Sequence, residues 1–138
     1  MTPMQQQLRF HHIGIACRDI EKTRGFYLTM GYEASAVTED PIQHVRICFL
    51  EMQGAPRLEL LEPLDDVSPV KRTLETAGVT PYHLCYEVED IEMAIDELRG
   101  QRFLVVSAPV PACAMNNRRV AFLFKKDNGL VELVEAQD

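Results

Sequence analysis

A repeated pattern of polar residues within apolar runs constrains this chain more than any other feature. A run that contains His12 leads to Asp19, and a second run that contains His83 leads to Asp90. His12 lies 71 positions before His83, and Asp19 lies 71 positions before Asp90. Both runs have the character of a strand, and each aspartate can cap a following helix. The chain therefore contains two copies of one unit, and each copy starts with a strand histidine.

Each copy also ends with a glutamate inside an apolar strand. The segment 57–62 reads like the segment 130–135, which places Glu59 and Glu132 73 positions apart. An unpaired carboxylate on a covered strand face is costly, so a shared cation explains both glutamates. Two imidazoles and two carboxylates suit a divalent zinc, cobalt, nickel, manganese or iron ion. The predicted metal ligands are His12, Glu59, His83 and Glu132.

The bulk composition limits the class of protein. A length of 138 residues, with 46% hydrophobic and 25% charged residues, fits one compact domain over 1–138. A formal net charge of −7 without a basic run argues against a nucleic acid partner. No apolar run reaches the roughly 18 residues of a membrane span, and no apolar secretory segment opens the chain. The four cysteines lack C-x-x-C spacing. We therefore expect a cytoplasmic protein that binds a small molecule and no membrane.

The periodicity predicts a βαβββ order in both copies, and hence an α+β fold. Module one covers about residues 9–62, a linker helix lies within about 63–80, and module two covers about 81–135. The turn 127–129, Asp-Asn-Gly, is a strong hairpin signal. Further expectations are a loose lead-in at 1–8, strands at 32–37, 44–51 and 102–107, a loop or strand end at 38–43, and a loop at 108–117.

At this point the residues resemble the vicinal oxygen chelate superfamily, which includes glyoxalases, bleomycin resistance proteins and dioxygenases. Within that superfamily the chain is most similar to the methylmalonyl-CoA epimerases. The matching motifs are His12–Ala16, Phe26-Tyr27 with Gly31, Leu58–Pro63, His83–Asp90 and Val131–Leu133. The resemblance implies two modules that form a curved, mostly antiparallel sheet around a metal-binding cleft. It implies a homodimer, and it places the four predicted ligands on the ligand positions of the family.

The resemblance also implies a reaction. The expected chemistry is removal of a proton next to the carbonyl of an acyl thioester or 2-oxo substrate, with the enolate stabilised by the metal ion. The substrate would be a small molecule, free or held as a thioester of CoA or of a carrier. Glu132 is the first candidate for the base, by analogy with glyoxalase I.

One departure from the epimerases concerns the segment 41–45. Ile42 occupies the place of a catalytic glutamate, and His44 replaces a glycine. Isoleucine cannot accept a proton, so two-base epimerisation is in question. His44 is the second candidate for the base, because histidine titrates near neutral pH and an extended strand would place it on the same face as position 42.

Substrate contacts are expected from Arg118, Arg119 and Asn116, since an arginine pair suits a phosphate or a carboxylate. Three alternatives to an epimerase-like enzyme remain open. A glyoxalase I-like lactoylglutathione lyase is favoured by Glu59, which resembles a His/Glu/His/Glu ligand set. A protein that binds and sequesters a ligand without turnover is favoured by Ile42. An iron(II) dioxygenase is disfavoured by the fourth ligand.

Overall fold

The computed structural model describes residues 1–137 and divides the chain into two compact units. One unit is His12–Tyr82, and the other combines Met1–His11 with the chain from His83 onward. The two boundaries fall inside strands, at corresponding points of the duplicated pattern, because each comes directly before a predicted ligand histidine. The expectation of a single domain over 1–138 stays a prediction.

The unit His12–Tyr82 contains the expected βαβββ order with one additional short strand, followed by a helix. Its elements are β1 (Arg9–Ala16, from His12 onward), α2 (Ile20–Met30), β2 (Glu33–Ala34), β3 (Thr38–Asp40), β4 (Val45–Glu51), β5 (Leu58–Pro63) and α3 (Pro69–Ala77). The strands lie in the order β2-β4-β5-β1, and β3 also pairs with β4. The β1–β5 pair is parallel and the remaining pairs are antiparallel.

Helix α2 begins and ends where its sequence predicts. The Asp19 side chain accepts a hydrogen bond from the backbone nitrogen of Lys22, which satisfies one of the amide donors that a helix start leaves unpaired. Gly31 ends the helix with φ 108°, a left-handed conformation that glycine adopts without a steric penalty. Asp90 caps the helix α4 (Ile91–Gly100) in the same way, through the nitrogen of Met93. The duplicated aspartates therefore have the same structural role.

The second unit repeats the same strand plan. Its elements are α1 (Pro3–Gln7), β6 (Thr80–Val88, from His83 onward), α4 (Ile91–Gly100), β7 (Leu104–Ala112), a 3-10 helix (Cys113–Met115), β8 (Arg118–Lys125) and β9 (Gly129–Glu135). The strands lie in the order β6-β9-β8-β7. The β6–β9 pair is parallel, and the β8–β9 and β7–β8 pairs are antiparallel. Since the second unit shows the predicted order and the first differs from it only by the short strand β3, the α+β class with two βαβββ modules is confirmed.

Each unit has its own apolar core, in which one helix packs against its strands. In the first unit the buried residues include Ile15, Ile20, Leu50, Leu58 and Leu60. In the second they include Val88, Ile91, Ile95, Leu123 and Leu133. Ile20 and Ile91, each directly after its capping aspartate, are fully buried. Each cap therefore fixes the helix at the residue that anchors it to the core.

Three secondary-structure expectations were wrong. Residues 1–8 are not a loose lead-in, because a capping box between Thr2 and Gln5 begins helix α1. The strand expected at 32–37 is reduced to Glu33–Ala34; the segment 38–43, expected to be a loop or a strand end, contains β3. The loop expected at 108–117 continues β7 to Ala112, with register shifts that admit prolines into a strand at the end of the order.

The hairpin expected at 127–129 is confirmed. The Asn128 nitrogen donates to the Lys125 carbonyl over 2.9 Å, and Gly129 has φ 81°. Within residues 1–137, no helix has both the length and the apolar character that crossing a membrane requires.

Candidate functional site

The first predicted ligand pair lies on the two parallel strands of the unit His12–Tyr82. His12 is in β1 and Glu59 is in β5, and the Nε2 and Oε1 atoms of their side chains are 3.1 Å apart. Both residues are buried, with 0% and 2% of their surface exposed. In this register the backbone partner of Glu59 is Gly14. Because alternate strand residues share a face, His12 and Gly14 lie on the same face as the glutamate.

The second predicted pair has the same arrangement in the other unit. His83 in β6 and Glu132 in β9 bring Nε2 and Oε1 within 2.9 Å of each other. Their exposed fractions are 4% and 1%. The backbone partner of Glu132 is Cys85, which again lies two residues after the histidine. The duplication is therefore present in the register of the strands as well as in the order of the residues.

An aromatic ring lies against the histidine of each pair, and neither ring was predicted from the sequence. Phe49 in β4 is the antiparallel partner of Glu59, and Phe122 in β8 is the partner of Glu132. The Phe49 ring lies edge-on to the imidazole of His12, with centroids 5.4 Å apart and planes at 79°. The corresponding values for Phe122 and His83 are 5.2 Å and 84°. A signal was present, since the phenylalanines are 73 positions apart, like the glutamates.

The chemistry of the donor set fits a divalent metal ion. Each unit supplies one imidazole nitrogen and one carboxylate oxygen that point toward each other from buried positions. Burying a carboxylate among apolar strands is unfavourable unless a cation or strong donors compensate its charge. Imidazole and carboxylate together match ions such as zinc, cobalt, nickel, manganese and iron(II). The residues that would hold the ion are those predicted from the sequence.

The structure places His44 differently from the sequence expectation. His44 is not in an extended strand; it is the last residue of a turn before β4 and has φ 60°. The argument that it shares a strand face with Ile42 is therefore wrong. Its Nδ1 atom lies 2.8 Å from Oδ2 of Asp65. This contact lowers the pKa of the Asp65 carboxyl. The pair has the geometry of an imidazole oriented by a carboxylate, a common arrangement for a general base.

The turn before His44 is organised by a buried aspartate. Asp40 accepts hydrogen bonds from the backbone nitrogens of Ile42 and Gln43, each over 3.0 Å, and from the Gln43 side chain over 2.7 Å. The Ile42 side chain is 54% exposed. Ile42, the residue expected to stand in place of a catalytic glutamate of the epimerases, therefore lies at an accessible point of a turn that Asp40 holds by hydrogen bonds.

Arg118, a predicted substrate contact, is engaged within its own unit. Its Nη1 atom donates to Glu87 over 2.8 Å, and its Nε atom donates to the Met115 carbonyl over 3.3 Å. Its Nη2 atom lies 3.1 Å from Nε2 of His11. A guanidinium has only donors, so this nitrogen of His11 accepts and the ring proton is on Nδ1. Arg118 therefore connects three segments of the unit.

The other two predicted substrate contacts lie nearby in the sequence but have different surroundings. Arg119 forms ion pairs with Glu135 and Glu92, which raise the pKa of its guanidinium. The same contacts lower the pKa of both carboxyl groups. Asn116 is exposed and has a left-handed backbone, with φ 57°, directly after the 3-10 helix. These positions neither confirm nor exclude contact with a substrate.

Comparison with known proteins shows a family relationship over most of the chain. A family model described as the glyoxalase/bleomycin resistance protein/dioxygenase superfamily matches residues 11–122. The chain is 37% identical over 131 residues to an ethylmalonyl-CoA/methylmalonyl-CoA epimerase of Cereibacter sphaeroides, a match that covers 91% of this chain and 96% of the relative.

Solved structures support the same relationship. A hypothetical protein from Bacillus halodurans superposes with a TM-score of 0.84 at 30% identity, over 95% of this chain and 96% of that one. A variant of the Streptomyces coelicolor methylmalonyl-CoA epimerase, in complex with 2-nitronate-propionyl-CoA, superposes with a TM-score of 0.81 at 29% identity. That match covers 96% of this chain and 99% of the Streptomyces chain.

Proposed function

The chain belongs to the glyoxalase/bleomycin resistance protein/dioxygenase superfamily, and from this we propose that it is a metal-dependent isomerase of the epimerase type. It would remove and return the proton next to the carbonyl of an acyl thioester. The observation that carries the proposal is the buried His–Glu pair, which recurs in both units with the same strand register. A relative named as an epimerase, similar over nearly its whole length, supplies the reaction.

The proposed metal centre takes two donors from each unit. His12 and Glu59 would supply one imidazole and one carboxylate, and His83 and Glu132 would supply the others. A bound divalent cation would act as a Lewis acid toward the substrate carbonyl and stabilise the negative charge that develops when the proton leaves. The burial of all four donors keeps bulk water away from them, which strengthens their electrostatic interactions.

The proposed bases are Glu132 and His44. Glu132 is supported by its buried carboxylate, whose Oε1 atom faces the imidazole nitrogen of His83. His44 is supported by its contact with Asp65, because a ring that donates from Nδ1 leaves Nε2 as the acceptor of a proton. Epimerisation needs a proton acceptor on one face of the substrate and a donor on the other, so two groups suit it better than one.

The proposed substrate is a CoA thioester of a substituted malonate. The Cereibacter relative is named for ethylmalonyl-CoA and methylmalonyl-CoA, and the Streptomyces structure contains a propionyl-CoA derivative. Arg118, Arg119 and Asn116 remain proposed contacts for the anionic groups of the substrate. Because both arginines already pair with carboxylates, a substrate anion would compete with Glu87 or with Glu92 and Glu135.

We also propose a cytoplasmic homodimer, which light scattering and cell fractionation would test.

Two observations support other functions of the same fold. The ligand set with Glu59 also suits a glyoxalase I-like lactoylglutathione lyase, whose substrate is a hemithioacetal. The exposed Ile42, in place of a catalytic glutamate, also suits a protein that binds its ligand without turnover. The epimerase, the glyoxalase and the binding protein differ in which ligand is converted, if any, so one set of assays separates them.

The first assay measures the exchange of the substrate α-proton in deuterated water by mass spectrometry. We expect metal-loaded protein to exchange the proton of methylmalonyl-CoA and metal-stripped protein not to exchange it. Conversion of the hemithioacetal of methylglyoxal and glutathione, without exchange of the CoA ester, would assign the glyoxalase function. Stoichiometric binding of either ligand without exchange would assign a binding protein and reject the isomerase.

A further inference from the structure

We propose that Phe49 and Phe122 are positioning residues that hold the imidazoles of His12 and His83 in the orientation needed for metal binding. This inference rests on the proposed metal centre and adds two residues that are not metal ligands. Neither phenylalanine has an atom that binds a divalent ion, so each would act only through the histidine next to it.

The geometry in the first unit supports this role. The Phe49 ring stands nearly perpendicular to the imidazole of His12, at a centroid distance of 5.4 Å, which is a preferred arrangement for two aromatic rings. Phe49 is also the backbone partner of Glu59 in the antiparallel β4–β5 pair. One strand position therefore lies next to both members of the His–Glu pair, and the strand pairing fixes the position of the phenyl ring.

The second unit provides an independent copy of the same geometry. Phe122 stands at 84° to the imidazole of His83, at 5.2 Å, and is the backbone partner of Glu132 in the β8–β9 pair. At the same offset of 73 positions, Cys48 corresponds to Ala121 and Glu51 to Phe124, whereas Arg46 and Leu50 are retained as Arg119 and Leu123. The phenylalanine is thus one of the retained strand positions, and it is the one whose ring contacts the ligand histidine.

A physical reason follows from the torsions of histidine. The second torsion of a histidine side chain is broad and has two nearly equivalent states, in which each ring nitrogen exchanges places with a ring carbon, Nδ1 with Cδ2 and Nε2 with Cε1. A perpendicular phenyl ring makes rotation about this torsion less favourable and keeps Nε2 directed at the carboxylate. Groups that orient a ligand histidine typically change metal affinity by roughly 10–100-fold when they are removed. Unlike the usual carboxylate or carbonyl, a phenyl ring orients by shape alone.

The experiment compares the zinc affinity of metal-stripped protein and its variants by titration against a competing chelator. We expect Phe49→Leu and Phe122→Leu each to bind Zn²⁺ roughly tenfold more weakly, and the double variant to bind it more weakly than either single variant. Phe49→Tyr and Phe122→Tyr retain the ring and should keep the wild-type affinity. Phe10→Leu is the matched control, since Phe10 makes a similar edge contact at 5.8 Å with Tyr86 in place of a ligand.

A purely structural role is tested by the melting temperature of the metal-free variants. We expect the leucine variants to bind zinc more weakly than the tyrosine variants even where the metal-free proteins melt at the same temperature. Wild-type affinity in both leucine variants would overturn the inference and leave the metal centre standing. An equal loss of zinc affinity in Phe10→Leu would also overturn the inference and leave the metal centre standing. Failure of the wild-type protein to bind any divalent ion would instead reject the proposed function and this inference together.

Discussion

Arg119 donates two hydrogen bonds to Glu135 on the neighbouring strand, from Nε to Oε2 over 2.9 Å and from Nη2 to Oε1 over 2.8 Å. The same guanidinium donates to Glu92 in the first turn of α4. Arg46 and Glu62 repeat the strand pair in the other unit, with Nη1 and Oε2 2.7 Å apart. Both arginines and both glutamates are 73 positions apart. The duplication therefore includes a second polar pair, which connects strands and is separate from the proposed metal ligands.

This pair predicts a pH dependence of stability. Arg119 lowers the pKa of the Glu135 carboxyl in the folded state, so the stabilisation is present above the ordinary glutamate pKa and is lost as the pH falls through the lowered value. We expect Arg119→Leu to unfold at lower urea concentration than wild type at pH 7, and the difference to shrink below about pH 4.5. Urea unfolding of both proteins at pH 7 and again below about pH 4.5 measures this difference in stability. Arg99→Leu, which removes an exposed arginine, is the control. A stability difference between Arg119→Leu and wild type that is equal at the two pH values would contradict the prediction.

Glu59 and Glu132 are both proposed metal ligands, but only Glu132 is also a proposed base, so their glutamine variants should differ in proton exchange. Glu59→Gln and Glu132→Gln each remove one buried negative charge, so we expect both to weaken zinc binding by roughly 10-fold or more. At saturating zinc, Glu59→Gln should recover most of the proton exchange, because Glu59 is proposed only as a ligand. Glu132→Gln should not recover it, because an amide accepts no proton at neutral pH.

Zinc titration followed by the deuterium exchange assay separates these two effects. Recovery of exchange by both variants at saturating zinc would remove Glu132 from the role of base. Unchanged zinc affinity in both variants would contradict their assignment as ligands.

A test of His44, the second proposed base, needs a substitution that tolerates the left-handed backbone at this position. His44 has φ 60°, where most side chains other than glycine are strained and asparagine is tolerated. Asn117, 73 positions later, also has φ 60°. We therefore expect His44→Asn to change the free energy of unfolding by less than about 1 kcal/mol and to lower the exchange rate by roughly 100-fold. An unchanged rate would leave proton transfer to Glu132 alone, and Asp65→Asn should give a smaller loss.

The buried thiol of Cys17 should be unreactive in the folded protein. Burial raises the pKa of this thiol to about 11, so only about one molecule in a thousand carries the reactive thiolate at pH 8. We expect iodoacetamide to modify the exposed Cys113 under native conditions and to reach Cys17 only in urea. Mass spectrometry of the digested protein measures both sites. Modification of both residues at similar rates under native conditions would contradict the prediction.

The sequence was most informative where a local pattern occurs twice. His12 and His83 stand out because a histidine in an apolar strand is uncommon and its repetition at a fixed spacing is less common still. The buried glutamates at 59 and 132 were found by the same reasoning. Phe49 and Phe122 have the same repetition, but an aromatic residue in a strand is ordinary, so nothing separated these two rings from residues of the apolar core.

Expectations failed where the backbone leaves regular structure. The position of His44 depends on a left-handed backbone in a turn that the Asp40 side chain organises, and neither is visible as a periodic pattern. The length of β7 depends on register shifts between Val105 and Val110, which let a strand continue through prolines. The engagement of Arg118 depends on Glu87, which is 31 positions away along the chain.

The sequence by itself determined which side chains share a strand face and which residues begin and end the helices. Both properties follow from the two-residue period of a strand and from interactions within one helical turn, which involve only neighbours in the chain. Only the tertiary structure decided the register that places Glu59 beside Gly14 and Phe49, because strands distant in sequence align through the packing of their cores. It also decided that Arg118 and Arg119 pair with carboxylates of their own unit, since charged side chains choose partners by proximity in space.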